Sequence, residues 1–170
     1  MKCFTKLDPI PKDFIDLNTK LTKNFSAYEF VVSASYPEIA KNIKLCLKDF
    51  LHLRILCLSC LQPIRDKFGS ISVISGKRDQ SLNQLVGGSE NSDHLISCAA
   101  DVSLTYPNFT NEDVFNWVVK GSDIDFRQII FYPDKNFIHI SINSPLNSNA
   151  KEALVCKDNK YITYEEYCRE

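Results

Sequence analysis

The feature that most constrains the fold is a change in the spacing of apolar residues near Gly69. From Pro37 to Phe68 apolar side chains recur at helical spacing, whereas the apolar runs after Gly69 are short and rich in β-branched residues. Helices first and short strands later are typical of an α+β fold, so we predict an antiparallel β-sheet packed against N-terminal helices. The helical apolar positions are Ile39, Ile43, Leu47, Phe50, Leu51, Ile55, Leu58 and Leu61.

The individual elements can also be predicted from local pattern. Ser26 and Glu29 stand at capping-box distance, and Pro63 is expected to kink or divide the helical region. We predict strands over residues 71–75, 98–104, 128–132 and 137–142, the last two joined by a hairpin turn. Helices are predicted over residues 79–86 and 111–119, and a weaker hairpin around residues 157–160.

The length and composition bound the domain organisation and the partners. The chain has 170 residues, the size of one domain, and contains no repeat or linker. We predict a single domain over residues 1–170, with a lead-in over 1–21 and a hairpin and short helix over 144–170. A formal charge of -1, with Lys and Arg spread along the chain, gives no sign of a nucleic-acid-binding or membrane-binding surface, so we expect neither kind of partner. We expect a monomer.

The N-terminus predicts the compartment of synthesis. Residues 1–8 are polar and lack the apolar stretch of a signal peptide. No run approaches the ~18 apolar residues of a membrane span. We therefore expect synthesis in the cytoplasm, with delivery by another factor if the target lies outside the membrane.

The cysteines offer one candidate site. There are seven, an odd number without a framework-like spacing, and Cys57 and Cys60 form a CxxC that is compatible with a metal or redox site. The pair lies in an apolar helical run without a second CxxC, so we favour buried structural thiols. Free thiols fit synthesis in a reducing compartment.

Two histidines and an aspartate form the most informative chemical pattern. Histidine is scarce, with three in the chain, and His94 and His139 are two of them; Asp101 follows His94 by seven residues. A catalytic zinc site uses three such ligands and leaves the fourth position open. In an alternating strand Phe137, His139 and Ser141 share one face, so His139 can point into a cleft. Each residue alone is more simply a loop histidine, a core histidine or a cap, but together they favour a mononuclear zinc hydrolase.

These residues belong to a longer series of short motifs in the same order along the chain. The series resembles the zinc D-alanyl-D-alanine carboxypeptidase family, and most closely its phage and bacterial murein-peptidase branch. The resemblance covers residues 22–143 and includes an SxHxxxxxxD…HxS pattern. The motifs are Leu61–Gly69, Val73–Arg78, Leu82–Asn83, Val86–Ser89, Ser92–Leu95, Ala99–Asp101 and Phe137–Ser141.

The resemblance implies a function and a set of site residues. It implies that His94, Asp101 and His139 bind one zinc ion, and that Arg78 and Ser92 hold or polarise the substrate. For Arg78 the alternative is an exposed turn residue. The implied reaction is hydrolysis of D-amino-acid peptide bonds in the peptide stem of bacterial peptidoglycan or its precursors, by a carboxypeptidase or an endopeptidase. By analogy we expect a phage-encoded enzyme that acts in the bacterial periplasm or cell wall if it is delivered there, or in the host cell as a phage protein.

Two positions depart from the family pattern. Ser97 stands where members commonly have glycine, and Asn136 stands where the best-known members have a catalytic carboxylate. An amide does not accept a proton from water as a carboxylate does. We assign proton transfer to Asp134, the nearest carboxylate to the second histidine. The equally weighted alternative is that Asp134 is simply a residue of the turn with Pro133. Glu90 and Asp93 are weaker candidates.

Two other functions stay open. The first is a catalytically silent zinc-binding domain that binds wall fragments or a protein partner, which Asn136 favours. The second is a virion structural or assembly component that retains only the fold.

Overall fold

The computed structural model describes residues 14–105, 108–144 and 151–169. The first thirteen residues of the predicted lead-in, with Cys3, lie outside the described residues, as does the predicted loop at Pro107. Within the described ranges, no helix combines the length and the apolar character needed to cross a membrane.

The N-terminal half is helical, as predicted. It contains α1 (Pro37–Ala40), α2 (Leu47–Leu56) and α3 (Gln62–Phe68), and the π-helical turn Cys57–Leu61 joins α2 to α3. Pro63 is the second residue of α3 and directly follows the π-helical turn, and a proline that interrupts the hydrogen-bond ladder commonly accompanies such a turn. The chain therefore divides at the wide π-turn without leaving the helical path. Upstream, the Ser26 amide donates to Glu29 Oε1 at 2.8 Å, as the predicted capping box requires.

The predicted apolar face is wrong for three residues of α2 and for Leu58 of the π-helical turn. Leu47, Leu51, Ile55 and Leu58 are each about half exposed, at 53%, 49%, 53% and 53%. The helix carries two apolar stripes, so periodicity alone did not distinguish the face that meets the core. The stripe that packs inward consists of Leu53, Leu56, Cys57, Cys60, Leu61 and Ile64.

The second half forms a six-stranded sheet with the order β1-β2-β4-β3-β5-β6. Helix α4 (Gln80–Leu85) follows β1, helix α5 (Asn111–Lys120) follows β2, and helix α6 (Tyr164–Tyr167) follows β6. These elements match the predicted strands, helices and hairpins closely. The strands are β1 (Ile71–Ser75), β2 (Ala99–Leu104), β3 (Gln128–Tyr132), β4 (Phe137–Ser141), β5 (Glu152–Lys157) and β6 (Lys160–Thr163).

The α+β class is correct, but the sheet is mixed rather than antiparallel. Strands β3 and β5 pair in parallel, whereas the other pairs are antiparallel. Both edges of β4 are occupied, so the next strand must add at a free edge of the sheet. Ser141, the last residue of β4, lies opposite Gln128, the first residue of β3. A strand that starts from that end beside β3 runs in the same direction as β3.

The alternation along β4 separates the core from the site. Ile138 and Ile140 are buried on the face that meets the helices, while His139 points to the opposite face and is partly exposed. On the core face Phe115 of α5 stacks on Phe131 of β3 with ring centroids 5.7 Å apart. Burying an aromatic side chain of this kind contributes about 2–3 kcal/mol. The core therefore fixes the strand that carries the second histidine.

Candidate metal centre

His94, Asp101 and His139 converge on one point at the cleft side of the sheet. Asp101 and His139 are directly opposite each other in the β2–β4 ladder. Asp101 Oδ1 lies 2.8 Å from His139 Nδ1 and 3.2 Å from His94 Nε2. The two imidazole nitrogens lie 3.2 Å apart. The structure thus brings together the three residues that the sequence singled out.

The size of this triangle fits a single ion. Ligands about 2.0–2.1 Å from a tetrahedral zinc ion lie about 3.3 Å from one another. Two imidazole nitrogens and a carboxylate oxygen are donors that zinc accepts in catalytic sites. Among the described residues, the side chains of His94, Asp101 and His139 form a group that could hold a metal ion, with their ligand atoms all within 4.8 Å of one another.

The tautomer of His94 is set by the backbone. His94 lies in the 3-10 helix Asp93–Ile96, is 1% exposed, and its Nδ1 is 2.6 Å from the Gly76 carbonyl oxygen. A carbonyl oxygen only accepts, so Nδ1 carries the proton and Nε2 presents a lone pair to the site. Burial lowers the pKa of His94 although Asp101 acts in the opposite direction. Burial is the larger of these opposing effects, so the surroundings favour the neutral ligand form.

Gly76 places that carbonyl by close backbone packing. A Cβ at this position would lie 2.3 Å from the Phe30 carbonyl oxygen, which the backbone does not tolerate. The adjacent Lys77 amide donates to the same Phe30 oxygen at 2.8 Å. Glycine is therefore required here for the close approach of two chain segments.

Arg78 orients the carboxylate of Asp101. Its Nη2 donates to Asp101 Oδ2 at 2.6 Å, and its Nε donates to Ser75 Oγ at 3.0 Å. Burial would raise the pKa of Asp101, but its electrostatic interactions and hydrogen bonds with His94 and His139 outweigh burial and hold this pKa well below its usual range. The Arg78 side chain is only 11% exposed, so the alternative of an exposed turn residue is wrong.

The three ligands open onto a cleft of about 1030 Å³. A volume of this order accommodates several residues of an extended peptide. Ser92, Arg78 and the three ligands line it, so the predicted substrate-contacting residues border the same space as the metal ligands. One wall of the cleft is aromatic and basic, and it consists of Tyr132, Lys135, Phe137 and Tyr161.

Asp93 is a buried carboxylate that lines the cleft. It is 5% exposed, and its Oδ2 lies 3.2 Å from Nη1 of Arg127, another lining residue. Among the described residues, Asp93 and Asp101 are the carboxylates that border the cleft. Glu90, the other weak candidate for proton transfer, is exposed and does not line it.

Asp134 and Asn136 occupy the β3–β4 turn. Asp134 lies in the 3-10 turn Pro133–Lys135, is exposed, and accepts a hydrogen bond from the Asp158 amide at 2.9 Å. Asn136 takes a left-handed conformation with φ 52°, and Asn111 Nδ2 donates to its Oδ1 at 2.9 Å. Of the described residues in this turn, it is Lys135, not Asp134, that lines the cleft. The assignment of proton transfer to Asp134 stays a prediction.

The cysteine pair lies away from this centre, in the core. Cys57 and Cys60 are fully buried in the π-turn, and burial raises the pKa of Cys60 to about 11. Thiols of that kind are inert small hydrophobes. This agrees with the structural role predicted for them.

Several residues of the site escaped sequence reasoning. Ser75 and Gly76 lie in the Val73–Arg78 motif, but the sequence assigned no role to either of them in the centre. Arg127 and Tyr161 come from separate segments that only the topology brings to the cleft. The one sequence signal for the aromatic wall was that Tyr132 and Phe137 flank the predicted hairpin turn. Their rings stack with centroids 4.4 Å apart.

Comparison with known families gives one match. A family model described as Peptidase M15 matches residues 24–141, which is more than half of the chain. The matched range runs from the residue before Phe25 to the end of β4 and contains all three converging side chains. No curated protein matches the chain.

Proposed function

The chain belongs to the peptidase M15 family, and on this premise we propose that it is a zinc metallopeptidase of bacterial peptidoglycan. The observation that carries the proposal is the triangle of ligand atoms, with sides of 2.8, 3.2 and 3.2 Å, at the edge of a peptide-sized cleft. M15 peptidases depend on zinc in general, and the donor set of this chain suits that ion.

We assign the metal to His94 Nε2, His139 Nδ1 and Asp101 Oδ1. A bound zinc ion acts as a Lewis acid, which polarises a peptide carbonyl and makes water a nucleophile near neutral pH. The hydrogen bonds from Arg78 to Asp101 and from His94 to Gly76 hold the ligands in orientation before the ion arrives. Such outer contacts typically contribute 10-fold to 100-fold in metal affinity.

The remaining residues of the cleft position the substrate. The half-buried Ser92 can donate its hydroxyl to a peptide carbonyl, and the Arg78 guanidinium borders the same space. Lys135 adds a positive charge to the lining of the cleft, which suits a peptide stem that carries carboxylates. We assign proton transfer to Asp134. Its carboxylate faces the Asp158 amide in the described structure, so this role requires the hairpin turn to rearrange.

The finer parts of the proposal follow from the resemblance of the sequence to murein peptidases. We propose that the scissile bond is a D-amino-acid peptide bond, that the whole chain forms one monomeric domain, and that a phage encodes it. The site of action is then the periplasm or the cell wall. A carboxypeptidase releases one terminal amino acid, whereas an endopeptidase releases larger fragments, so the products distinguish them.

The test is digestion of purified peptidoglycan by zinc-loaded protein, with the released amino groups and fragments followed by mass spectrometry. His139→Ala is the matched control because it removes one ligand from the partly exposed cleft face of β4. We expect fragments that are absent with the variant, and their masses name the bond. Absence of release by a protein that binds one zinc ion would contradict the proposal.

A silent zinc-binding domain is the second candidate, and Asn136 favours it. Its amide is held by Asn111 and replaces the carboxylate that the best-known members carry at this position. Under this alternative the protein binds zinc and wall fragments but hydrolyses neither muropeptides nor their precursors. Binding of muropeptides with wild-type affinity by Asp134→Ala, without turnover in either protein, would support it.

A further inference from the structure

Asp49, on the first turn of α2, connects two segments that carry the centre. Its Oδ1 accepts from Ser97 Oγ at 2.6 Å and lies 3.0 Å from Lys77 Nζ. Its Oδ2 accepts from the Cys46 amide at 3.1 Å, which completes the cap of the helix. The Asp49 and Lys77 side chains are 13% and 15% exposed, so the pair is largely removed from water. An ion pair of this kind is costly to break from one side.

The two segments are residues 76–78, whose contacts hold His94 and Asp101, and residues 94–97, which include His94 itself. Lys77 lies between Gly76, which accepts from His94 Nδ1, and Arg78, which binds Asp101. Ser97 follows His94 by three residues, and the Lys77 ammonium donates to the Leu95 carbonyl at 2.6 Å. The contacts among Asp49, Lys77 and Ser97 therefore join the first turn of α2 to residues 76–78 and to residues 94–97, which we call the ligand loop.

Helix α2 makes a second contact with the same loop. His52 Nδ1 lies 2.7 Å from the Ile96 carbonyl oxygen and therefore donates to it. Asp49 and His52 are three residues apart and therefore lie on the same face of α2. Asp49 contacts Ser97 and His52 contacts Ile96, so this face meets two adjacent residues that follow His94. The helix thus contacts the loop at two points that are independent of its apolar packing.

Ser97 shows that this arrangement is specific. Its backbone is left-handed, with φ 63° and ψ 24°, and it is fully buried. This region favours glycine, and a serine there bears the cost of its Cβ. Its hydroxyl gains the hydrogen bond to Asp49, which a glycine cannot make. The departure from the family pattern noted at this position therefore coincides with a contact to α2.

We propose that Asp49 is a positioning residue for the metal centre, which acts through Lys77 and Ser97 to hold the loop that carries His94. The inference rests on the proposed function only for the identity of the ion. Asp49 touches neither the ligand atoms nor the cleft among the described residues, so it acts through its neighbours.

The test compares Asp49→Asn with Asp113→Asn. Asp113 caps α5 as Asp49 caps α2, since it accepts from the Thr110 amide at 2.7 Å, but no described contact joins it to the centre. The matched pair separates loss of a helix cap from loss of loop positioning. Ser97→Gly is the second variant, because glycine suits the left-handed backbone and removes only the hydroxyl contact.

Two readouts are measured on each protein. The first is the zinc dissociation constant by competition with a chromophoric chelator. The second, in metal-free protein, is hydrogen exchange of the Arg78, Ser97 and Cys98 amides, which donate to carbonyls of His94 and Asp93. We expect Asp49→Asn to weaken zinc binding at least 10-fold and to speed these exchanges. Ser97→Gly should produce a smaller change of the same kind, and Asp113→Asn should change neither readout.

Each other outcome is decisive. Zinc affinity and exchange equal to wild type in folded Asp49→Asn would overturn the positioning role, as would equal losses in Asp113→Asn. If wild-type protein binds no zinc, the proposed function fails. Exchange in the metal-free proteins then still decides whether Asp49 holds the loop. If Asp49→Asn does not fold, Ser97→Gly decides by the same two readouts.

Discussion

Arg78 and Asp101 form an ion pair in which Nη2 lies 2.6 Å from Oδ2, while the other carboxylate oxygen, Oδ1, faces His94 and His139. One oxygen is thus held by the protein and the other is left for the two histidines. Both side chains are about one-tenth exposed, so water competes weakly for the pair. This division of the carboxylate preorganises the centre.

The first prediction concerns this pair. Arg78→Lys retains the charge but loses the planar fork that reaches Ser75 and Asp101 together. We expect zinc affinity to fall by about 10-fold to 100-fold, since the carboxylate is free to turn. Chelator competition measures it, and Lys135→Met is the control because Lys135 borders the cleft without contacting a ligand. Equal affinity in Arg78→Lys and wild type would show that Asp101 needs no second partner.

The second prediction concerns Gly76. Alanine there brings a Cβ to 2.3 Å from a backbone oxygen of Phe30, which cannot move without disturbing its own contacts. We expect Gly76→Ala to lower the free energy of unfolding by about 2–3 kcal/mol. Gly87→Ala is the comparison, because Gly87 has φ +70° but open space around its Cβ position. It should cost about 1 kcal/mol in urea unfolding. The reverse order of the two losses would refute the close-approach explanation.

The third prediction is a pH dependence of stability. Burial acts to raise the pKa of Asp49, but hydrogen bonds from Ser97, Cys46 and Lys77 outweigh it and lower this pKa below its ordinary 3.8. As the pH falls below 3.8, Asp49 therefore becomes protonated in the unfolded chain before it becomes protonated in the folded chain. The stability that Asp49 contributes is therefore fully present above that pH and is lost below it.

Unfolding of wild type and Asp49→Asn in urea measures this effect. We expect the difference between their free energies of unfolding to be constant from about pH 7 to about pH 5 and to shrink towards pH 3. A difference that grows on acidification would mean that the folded protein raises the pKa of Asp49 instead.

The fourth prediction concerns proton transfer. We expect Asp134→Asn to lower kcat on peptidoglycan about 100-fold or more with zinc affinity unchanged, as loss of a general base does. The control is Asp158→Asn, which keeps the backbone amide that contacts Asp134. Wild-type kcat in Asp134→Asn would remove this residue from the mechanism. Asp93 would then be the carboxylate to test, since it borders the cleft.

The parts of the fold that sequence reasoning found are those encoded locally. The strand that carries His139 was predictable because alternation fixes which side chains share a face, and Ile138 and Ile140 do face the core. The capping box at Ser26 was likewise visible from the spacing of three residues to Glu29. The convergence of the three ligands was expected from residue types and resemblance, and the strand register supplies it.

The parts that it missed depend on distant segments. Asp49 and Ser97 are 48 residues apart, and no local pattern relates them. The parallel pairing of β5 depends on β4 already occupying the inner edge of β3. The exposed stripe of α2 was assigned to the core because Leu51 and Leu53 are chemically alike and only packing separates them. In each case the local sequence allowed more than one arrangement, and contacts between distant segments determined which one formed.

The most direct test of the account is the zinc content of purified protein, measured by elemental analysis after dialysis, for wild type and for His139→Ala. We expect one zinc ion per wild-type chain, and an affinity in the variant weak enough that dialysis removes the ion. Cys57→Ala serves as the control, because its buried thiol is a core group and the variant should retain the ion. Zinc retained in full by His139→Ala, or absent from wild type, would contradict a centre built from His94, Asp101 and His139.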